Sequence, residues 1–498
     1  MLRKTSPQEI RTYLTDASNI PGGHAEGVVF PENEKEIAEF LRDCYGKGMP
    51  VTVAGGGTGL VGGRAPFGGW VLATDQLSKI QSIQKDPAGY SGTVVVQPGT
   101  RLRDLHHSVE AEGLLYPPDP TSGVSSTGNA FAGGTVATNA SGPRTFKYGP
   151  TRNFIRRLRV VLASGDILEI KRGQFLASGG TLEIPLRSSL LKLPVPTYTP
   201  PAVKNTAGYF AGSQLDAIDL FIGSEGTLGV VTEIEMTLLP RPQDIFSCVV
   251  FFPTEESSWR FSAEARTLAR RHAAARNDAA IQARALEYMD GPSLDLVRKE
   301  FENIPHEARA AIYFEQECQS ETEDILLDLW SSLFEKHSAL PEFWIGRTES
   351  EEQIIREFRH AIPVKVRDFL KQHGTAKVGT DMSVPAERFE DLMLYQRRCL
   401  EELKLPHVTF GHIGDAHVHL NILPKNQDEH DRAWDLYREF VTKAIELGGS
   451  VAGEHGIGKL KRPYLLQMFG APAVQEMIAV KKALDPKNIL GRGNLFEA

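Results

Sequence analysis

Hydrophobic and polar positions follow two different rhythms along the chain. In the first half, an apolar run at 28–30 predicts a short strand. Ile37, Phe40, Leu41 and Cys44, spaced i, i+3, i+4, i+7, predict a helix with one buried face, starting near Asn33. Residues 51–53 predict a second strand that runs straight into a cluster of glycines, and further strands are predicted at 94–97, 158–163 and 230–236. Between them, 116–150 is dense in Gly, Ser, Thr and Pro. So long a loop inside a compact domain is uncommon unless it binds something. The irregular stretch 173–201, which ends in prolines, predicts an exposed excursion. After Pro240-Arg241-Pro242 the texture changes: strands at 248–252 and 311–315 alternate with amphipathic helices near 255–272, 321–337 and 386–403. That alternation predicts an antiparallel sheet backed by helices, a separate α+β domain. The organisation expected is therefore 1–241, 242–448 and a C-terminal segment 449–498 with a dense motif of its own.

Composition adds bounds. The 498 residues exceed what one hydrophobic core usually serves, in keeping with more than one domain. A net charge of −8 argues against a general nucleic-acid binder, which needs clustered Lys and Arg. The one basic run, Arg152, Arg156, Arg157 and Arg159, reads as a solvated face. Cys44, Cys248, Cys318 and Cys399 lie far apart and form no CxxC pair, which predicts reduced thiols serving as small core residues. The first residues carry no apolar leader, and no apolar run approaches the ~20 residues that span a bilayer. These features predict a cytoplasmic protein without a membrane span.

Five motifs carry candidate chemistry. Gly55-Gly56-Gly57-Thr58-Gly59 follows a strand, and consecutive glycines let backbone N–H groups approach a phosphate. The run fits neither a Rossmann fingerprint, since no helix pattern follows, nor a P-loop, since no Lys-Ser/Thr ends it. Alone it is also compatible with a tight connection. The second motif runs from Tyr116 through Asp119, Pro120 and Thr121 to Gly133, Gly134, Asn139 and Ser141. Its neutral hydrogen-bonding groups and glycines suit a large polar ligand with a ring and a pyrophosphate. The third, with Glu225 and Gly226, is a turn into a strand. In the fourth, His412 precedes His417, His419 and Asn421, which strand alternation places on one face. The fifth sets Glu454 beside His455 in a glycine-rich turn. Of the chain's 14 histidines, four fall in these two short motifs. Imidazoles converging from a loop and a strand suit a Zn²⁺-, Fe²⁺- or Mn²⁺-like ion.

Together, in this order and over about 28–496, the motifs resemble the FAD-linked oxidase family of the vanillyl-alcohol-oxidase-like superfamily, in the branch of D-lactate dehydrogenase, glycolate oxidase and D-2-hydroxyglutarate dehydrogenase. The resemblance implies an α+β fold: an FAD-binding domain of that type, a ferredoxin-like α+β substrate domain with an antiparallel sheet, and a C-terminal segment that returns to the FAD domain and completes the active site. It implies that Gly55, Gly56, Gly57, Thr58 and Gly59 wrap the FAD pyrophosphate. Asp119, Pro120, Thr121, Gly133, Gly134, Asn139 and Ser141 would line the ring and ribityl chain, and Glu225 and Gly226 would sit near the adenine or support its loop. It maps metal ligands onto His412, His419 and Glu454, a catalytic base onto His455, a substrate-side amide onto Asn421 and a carboxylate clamp onto Arg359, in what reads as a helix-end string closing at Pro363.

The chain departs from the family at several points. His417 adds an imidazole to the metal motif, and Ala54 stands where an arginine is common. Pro363 replaces a hydroxyl residue, and Lys377 lies four residues before Asp381 where the family's substrate lysine lies two before. The last two weaken a second carboxylate clamp and favour a small monocarboxylate such as D-lactate. No histidine lies in the first glycine loop, so FAD is expected to be non-covalent. An electron-transfer flavoprotein, a quinone or a cytochrome would each serve as acceptor. A metallohydrolase built on the imidazoles alone, or a non-catalytic FAD-binding scaffold, are the readings from other classes.

Overall fold

The structure, a computed structural model, describes residues 1–120, 128–186, 189–275 and 279–497; Thr121, read above as a flavin contact, lies outside them. The strand Gly27–Phe30 is buried along its whole length and pairs in parallel with Trp70–Ala73, which pairs in parallel with Val51–Ala54; Leu2–Lys4 adds an antiparallel edge. Parallel strands need a crossover, here the helix Glu34–Lys47. Asn33 caps its start by accepting from the Glu36 N–H, and Gly48, at φ 65°, ends it in the left-handed region. Its buried face includes Ile37, Phe40, Leu41 and Cys44, the positions the spacing predicts.

A second, antiparallel sheet runs in the order Ile80–Lys85, Gly92–Val96, Val230–Pro240, Ile155–Val161, Ile167–Lys171. The third sheet has seven strands, in the order Phe343–Gly346, Asp244–Phe252, Ala310–Cys318, Ala283–Asp290, His407–Gly411, His419–Ile422, Val378–Gly379, and all its pairings are antiparallel. Alternation sends Phe246, Cys248, Val250 and Phe252 to one core and Val249 and Phe251 to the other. Phe261 of Glu255–Ala275 and Trp330 of Glu323–Lys336 join the first core, with Trp330 stacked on Phe314 at 3.9 Å between ring centroids. The result is the α+β architecture expected, with the four thiols free and buried. Among the described residues, no helix is long and apolar enough to cross a membrane.

Four local expectations need correction. The glycine-rich stretch 116–150 is not all loop: it holds the helices Ala132–Thr138 and Thr145–Tyr148. Packing of Ala132, Thr135 and Val136 into the interior overrides the poor propensity of Gly133 and Gly134. The excursion 173–201 contains an antiparallel hairpin, Thr181–Pro185 with Leu190–Pro194, whose Leu182, Ile184 and Leu193 are fully buried. The basic run is paired rather than solvated: Arg152 meets Asp219 at 2.7 Å, Arg157 meets Glu233 at 2.6 Å, and Arg159 meets Glu34 at 2.7 Å. Arg156 alone stays largely exposed. Finally, Arg359 is not at a helix end. The helix Glu349–His373 runs through Pro363, because Ile355, Phe358, Ile362 and Val366 are buried on both sides of it and outweigh the missing hydrogen bond.

The C-terminal residues return to the first sheet. Val51 donates to the Ile489 carbonyl at 2.7 Å and accepts from Gly491 at 3.0 Å, while Lys459 donates its backbone N–H to Val61 at 2.9 Å.

Candidate active site

The glycines of the first two motifs divide into two kinds. A Cβ on Gly56 would overlap the Asn129 carbonyl, one on Gly142 the Asp119 carbonyl, and one on Gly133 would lie 2.6 Å from Pro98 Cβ. These glycines serve the protein's own packing. Gly134 opens on empty space, with nothing within 4 Å, and Gly55 meets nothing closer than 3.9 Å, its nearest neighbours being Phe131 and Gly134 itself. Gly55 and Gly134 therefore border a common space that side chains leave clear. Asp119 Oδ1, from the same motif, is buried without a hydrogen-bond partner among the described residues, and such a group calls for a partner. Open glycines and an orphaned polar atom fit a cofactor such as FAD. Gly134→Ala is accordingly expected to leave the apoprotein's thermal stability unchanged or raised by up to about 1 kcal/mol, since alanine favours a helix. The same variant should lose flavin on desalting; one that keeps full flavin would show that Gly134 does not face the cofactor.

Asn139 is used locally: in the left-handed region at φ 47°, it ends its helix and accepts from the Arg152 N–H at 3.0 Å. Glu225 acts on another loop altogether. Its buried oxygens accept from Ile457 N–H at 2.7 Å and Gly458 N–H at 2.6 Å, latching the turn that carries Glu454 and His455 to the first domain. Burial pushes its carboxyl up to about 7. The loop it supports is thus the Glu454–His455 turn, not the adenine loop expected.

The fourth and fifth motifs meet on Glu454. Its Oε1 lies 2.9 Å from His419 Nε2 and 3.5 Å from His455 Nε2; its Oε2 lies 3.3 Å from His412 Nε2 and accepts from Ser141 Oγ at 3.3 Å. Ser141 thus ties the glycine-rich motif to the imidazole cluster. His455 stacks on His419, with ring centroids 5.2 Å apart. Behind His412, Glu287 takes Nδ1 at 2.6 Å and also pairs with Arg359 at 3.2 Å, and Arg359 lies over the Tyr313 ring. Asn421 donates to the His419 carbonyl at 3.0 Å and accepts from Lys377 Nζ at 2.7 Å. Lys377 and Gly379 lie two residues apart, on one face of an extended segment, and the lysine side chain folds over Gly379 to reach Asn421.

This donor set suits a divalent ion. The Thr380 carbonyl, 3.1 Å from His419 Nδ1, can only accept, so Nδ1 carries the proton and Nε2 turns its lone pair toward Glu454. A metal ion bound by both atoms, or a proton between them, accounts for the 2.9 Å approach. The ligand atoms of Asp381, His419, Glu454 and His455 lie within 4.8 Å of one another, a group that holds His455 where the expected ligand set has His412. Asp381, however, is already saturated: Oδ1 faces His417 Nε2 and the Glu454 N–H, each at 3.1 Å, and Oδ2 accepts from Lys461 Nζ at 2.6 Å and the His455 N–H at 3.1 Å. It positions the loop. His417, fully buried beneath Gly453 and held on Asp381, is pushed down to about 3 by burial and props that carboxylate.

Burial holds the His455 imidazole down at about 4, so it is neutral near pH 7 and able to accept a proton. Burial would lower His412 as well, but Glu287 and Glu454 outweigh it and raise that ring to about 9. Burial opposes ionisation of Glu454, yet Lys204 and His412 hold its carboxyl well below the usual range.

Sequence reasoning missed Lys204, Glu287 and Lys461, and gave Asp381 no role. Lys204 had one weak signal, a lone lysine opening a polar Asn-Thr-Ala-Gly run after the prolines; Glu287 sits in an ordinary strand and had none.

Comparison with known proteins bears on this geometry. The description "FAD binding domain" matches residues 25–171, and "FAD linked oxidases, C-terminal domain" matches 259–495. The glycolate oxidase subunit GlcD of Bacillus subtilis is 32% identical over 97% of this chain and 92% of its own length. A D-lactate dehydrogenase of Anaerostipes hadrus is 27% identical over 94% of this chain and 89% of its own. The mitochondrial D-2-hydroxyglutarate dehydrogenase of Rattus norvegicus is 28% identical over 98% and 81%. Among solved structures, 4-ethylphenol oxidase from Gulosibacter chungangensis superposes with a TM-score of 0.70 at 16% identity, covering 99% of this chain and 94% of that one, which bears on the fold alone. With the FAD-binding description on its first half, the oxidase description on its second and a 32% identical relative along nearly its whole length, the chain belongs to the FAD-linked oxidase family and is a flavin-dependent oxidoreductase.

Proposed function

We propose that the protein is an FAD- and divalent-metal-dependent dehydrogenase that oxidises a small 2-hydroxy acid, D-lactate ahead of glycolate or D-2-hydroxyglutarate, to the 2-oxo acid. The observation that carries this reading is the convergence on Glu454: three imidazoles and Ser141, from the glycine-rich motif, lie within 3.5 Å of its two oxygens. The relatives named as glycolate oxidase and D-lactate and D-2-hydroxyglutarate dehydrogenases support the substrate class.

FAD, non-covalently bound along Gly55–Gly59 and Gly134, would supply the acceptor for the Cα hydride. A Zn, Fe or Mn ion held by His412, His419 and Glu454 would supply Lewis acidity at the substrate hydroxyl. The chain's own residues do the rest. Asp381 accepts from the His455 backbone N–H at 3.1 Å and lies 3.5 Å from its Nδ1, which places the ring with Nε2 toward Glu454, where it would take the hydroxyl proton. Arg359, its guanidinium levelled on Tyr313 and braced by Glu287, keeps donors free for a planar, two-point grip on the carboxylate. Asn421, locked between Lys377 and the His419 carbonyl, forms the substrate-side wall.

The preference for a monocarboxylate now rests on Pro363, which offers no hydroxyl, and on Lys377 being held by Asn421 although it reaches the site. Steady-state assays with an artificial electron acceptor should give D-lactate a kcat/KM at least about tenfold above that of D-2-hydroxyglutarate, roughly one 1.4 kcal/mol step. The reverse order would reject the assignment of D-lactate. Electron-transfer flavoprotein, quinone and cytochrome all remain compatible acceptors for the reduced flavin.

A further inference from the structure

Lys204 enters the site from a segment to which the motifs assign no task. That segment is bonded to the loops around Glu454: Thr206 N–H donates to the Ala452 carbonyl at 2.8 Å, Gly456 N–H to Thr206 Oγ1 at 3.1 Å, and Ser450 Oγ to Asn205 Oδ1 at 2.6 Å. The Lys204 side chain is 7% exposed, and its Nζ donates to Glu454 Oε2 at 2.8 Å. On its other side, 3.9 Å away, lies Asp415 Oδ2, which is buried and has no hydrogen-bond partner among the described residues. A gap of 3.9 Å is too long for a hydrogen bond. Asp415 itself is well placed: its turn is fixed by Arg266, which donates to the Gly414 carbonyl at 2.9 Å and the Ile413 carbonyl at 2.6 Å.

One ammonium thus lies near two largely buried carboxylates, bonded to the one expected to ligate a metal and 3.9 Å from an oxygen that lacks a donor among the described residues. A divalent ion on Glu454 and an ammonium 2.8 Å from the same carboxylate would repel strongly in so desolvated a place. A lysine stem is flexible enough to relieve this. We propose that Lys204 and Asp415 form a two-position charge device: Lys204 rests on Glu454 Oε2, keeping that carboxylate ionised and oriented, and moves to Asp415 Oδ2 when a divalent cation takes Glu454. This rests on the metal reading above. Lys204 is a positioning residue, and Asp415 sets the ease with which it gives way.

The test is a titration of the FAD-loaded, chelator-treated full chain with Zn²⁺ or Mn²⁺ against a chromophoric chelator. Lys204→Met should bind the ion at least about tenfold more tightly than the unaltered protein, because the competing ammonium is gone. Asp415→Asn should bind it about threefold or more weakly, because the ammonium has nowhere to go. The double variant should match Lys204→Met, since Asp415 acts only through the lysine. A lysine that merely supports the fold gives the opposite sign. Unchanged or weaker binding in Lys204→Met, or an Asp415→Asn defect that persists in the Lys204→Met background, overturns the proposal while leaving the metal reading intact. Unaltered protein that takes up no ion overturns both. Flavin content and thermal unfolding report whether each variant folds, and Lys204→Gln carries the same expectation if the methionine variant does not.

Discussion

Replacing His455 by alanine is expected to slow anaerobic flavin reduction by the hydroxy acid about 10²–10⁴-fold, the usual cost of losing a general base, with FAD and metal contents unchanged. The size follows from how completely the chain prepares this imidazole. Asp381 accepts from the backbone N–H of both Glu454 and His455, so the turn that presents the ring is pinned from below. The ring stacks on His419 and keeps 27% of its side-chain surface accessible, while His412 behind it is 8% exposed. Burial keeps it neutral at neutral pH. The imidazoles around it are occupied: His417 is tied to Asp381, His412 to Glu287, and His419 to the Thr380 carbonyl and Glu454. A 2-oxo acid should still bind to the variant, because Arg359 and its brace on Glu287 are untouched. A variant that reduces flavin at the normal rate would remove His455 from the base role, and one that loses metal as well would make it a ligand.

His419→Ala should fail differently, losing bound metal along with activity while keeping FAD. His419 Nδ1 is committed to the Thr380 carbonyl, so its Nε2 lone pair faces Glu454 Oε1 with no donor of its own to offer. Alanine removes that donor and leaves His412 and Glu454 alone to hold an ion. The strand should survive, since its neighbours Val418 and Leu420 are buried in the core and the ladder to His407–Gly411 is made by backbone. Metal analysis, flavin absorbance and anaerobic reduction, measured on both variants, separate ligand from base. Full metal content and normal reduction in His419→Ala would show that the ion, if bound, sits elsewhere in the cluster.

Much of this site could be read along the chain because its parts are local motifs. The strand into Gly55–Gly59, the His412–Asn421 turn and strand and the Glu454–His455 turn each carry their residue types within a dozen positions. The helix Glu34–Lys47 was legible for a similar reason: cap, period and terminal glycine agree. What stayed hidden was what tertiary convergence creates. Glu287 reaches His412 from 125 residues away and Lys204 reaches Glu454 from 250; Glu287 does not differ locally from an ordinary strand glutamate, and Lys204 only by the polar run it opens. The hairpin at 181–194 was obscured by flanking prolines and short strands, although its alternation was present. Pro363 misled for a physical reason, since buried packing on either side carried the helix past it. Lys377 shows what spacing alone leaves open: its flexible side chain passes over Gly379 and brings the ammonium to Asn421.

The most direct measurement is anaerobic mixing of the FAD-loaded protein with a panel of D- and L-2-hydroxy acids, followed by visible absorbance. A flavin that transfers charge to no external dye and sees no oxygen can be bleached only by the substrate itself. The expected result is full bleaching by D-lactate, with one equivalent of 2-oxo acid formed per flavin and little response to the L-enantiomer. A protein that binds FAD yet stays oxidised with every hydroxy acid in the panel would contradict the proposed chemistry.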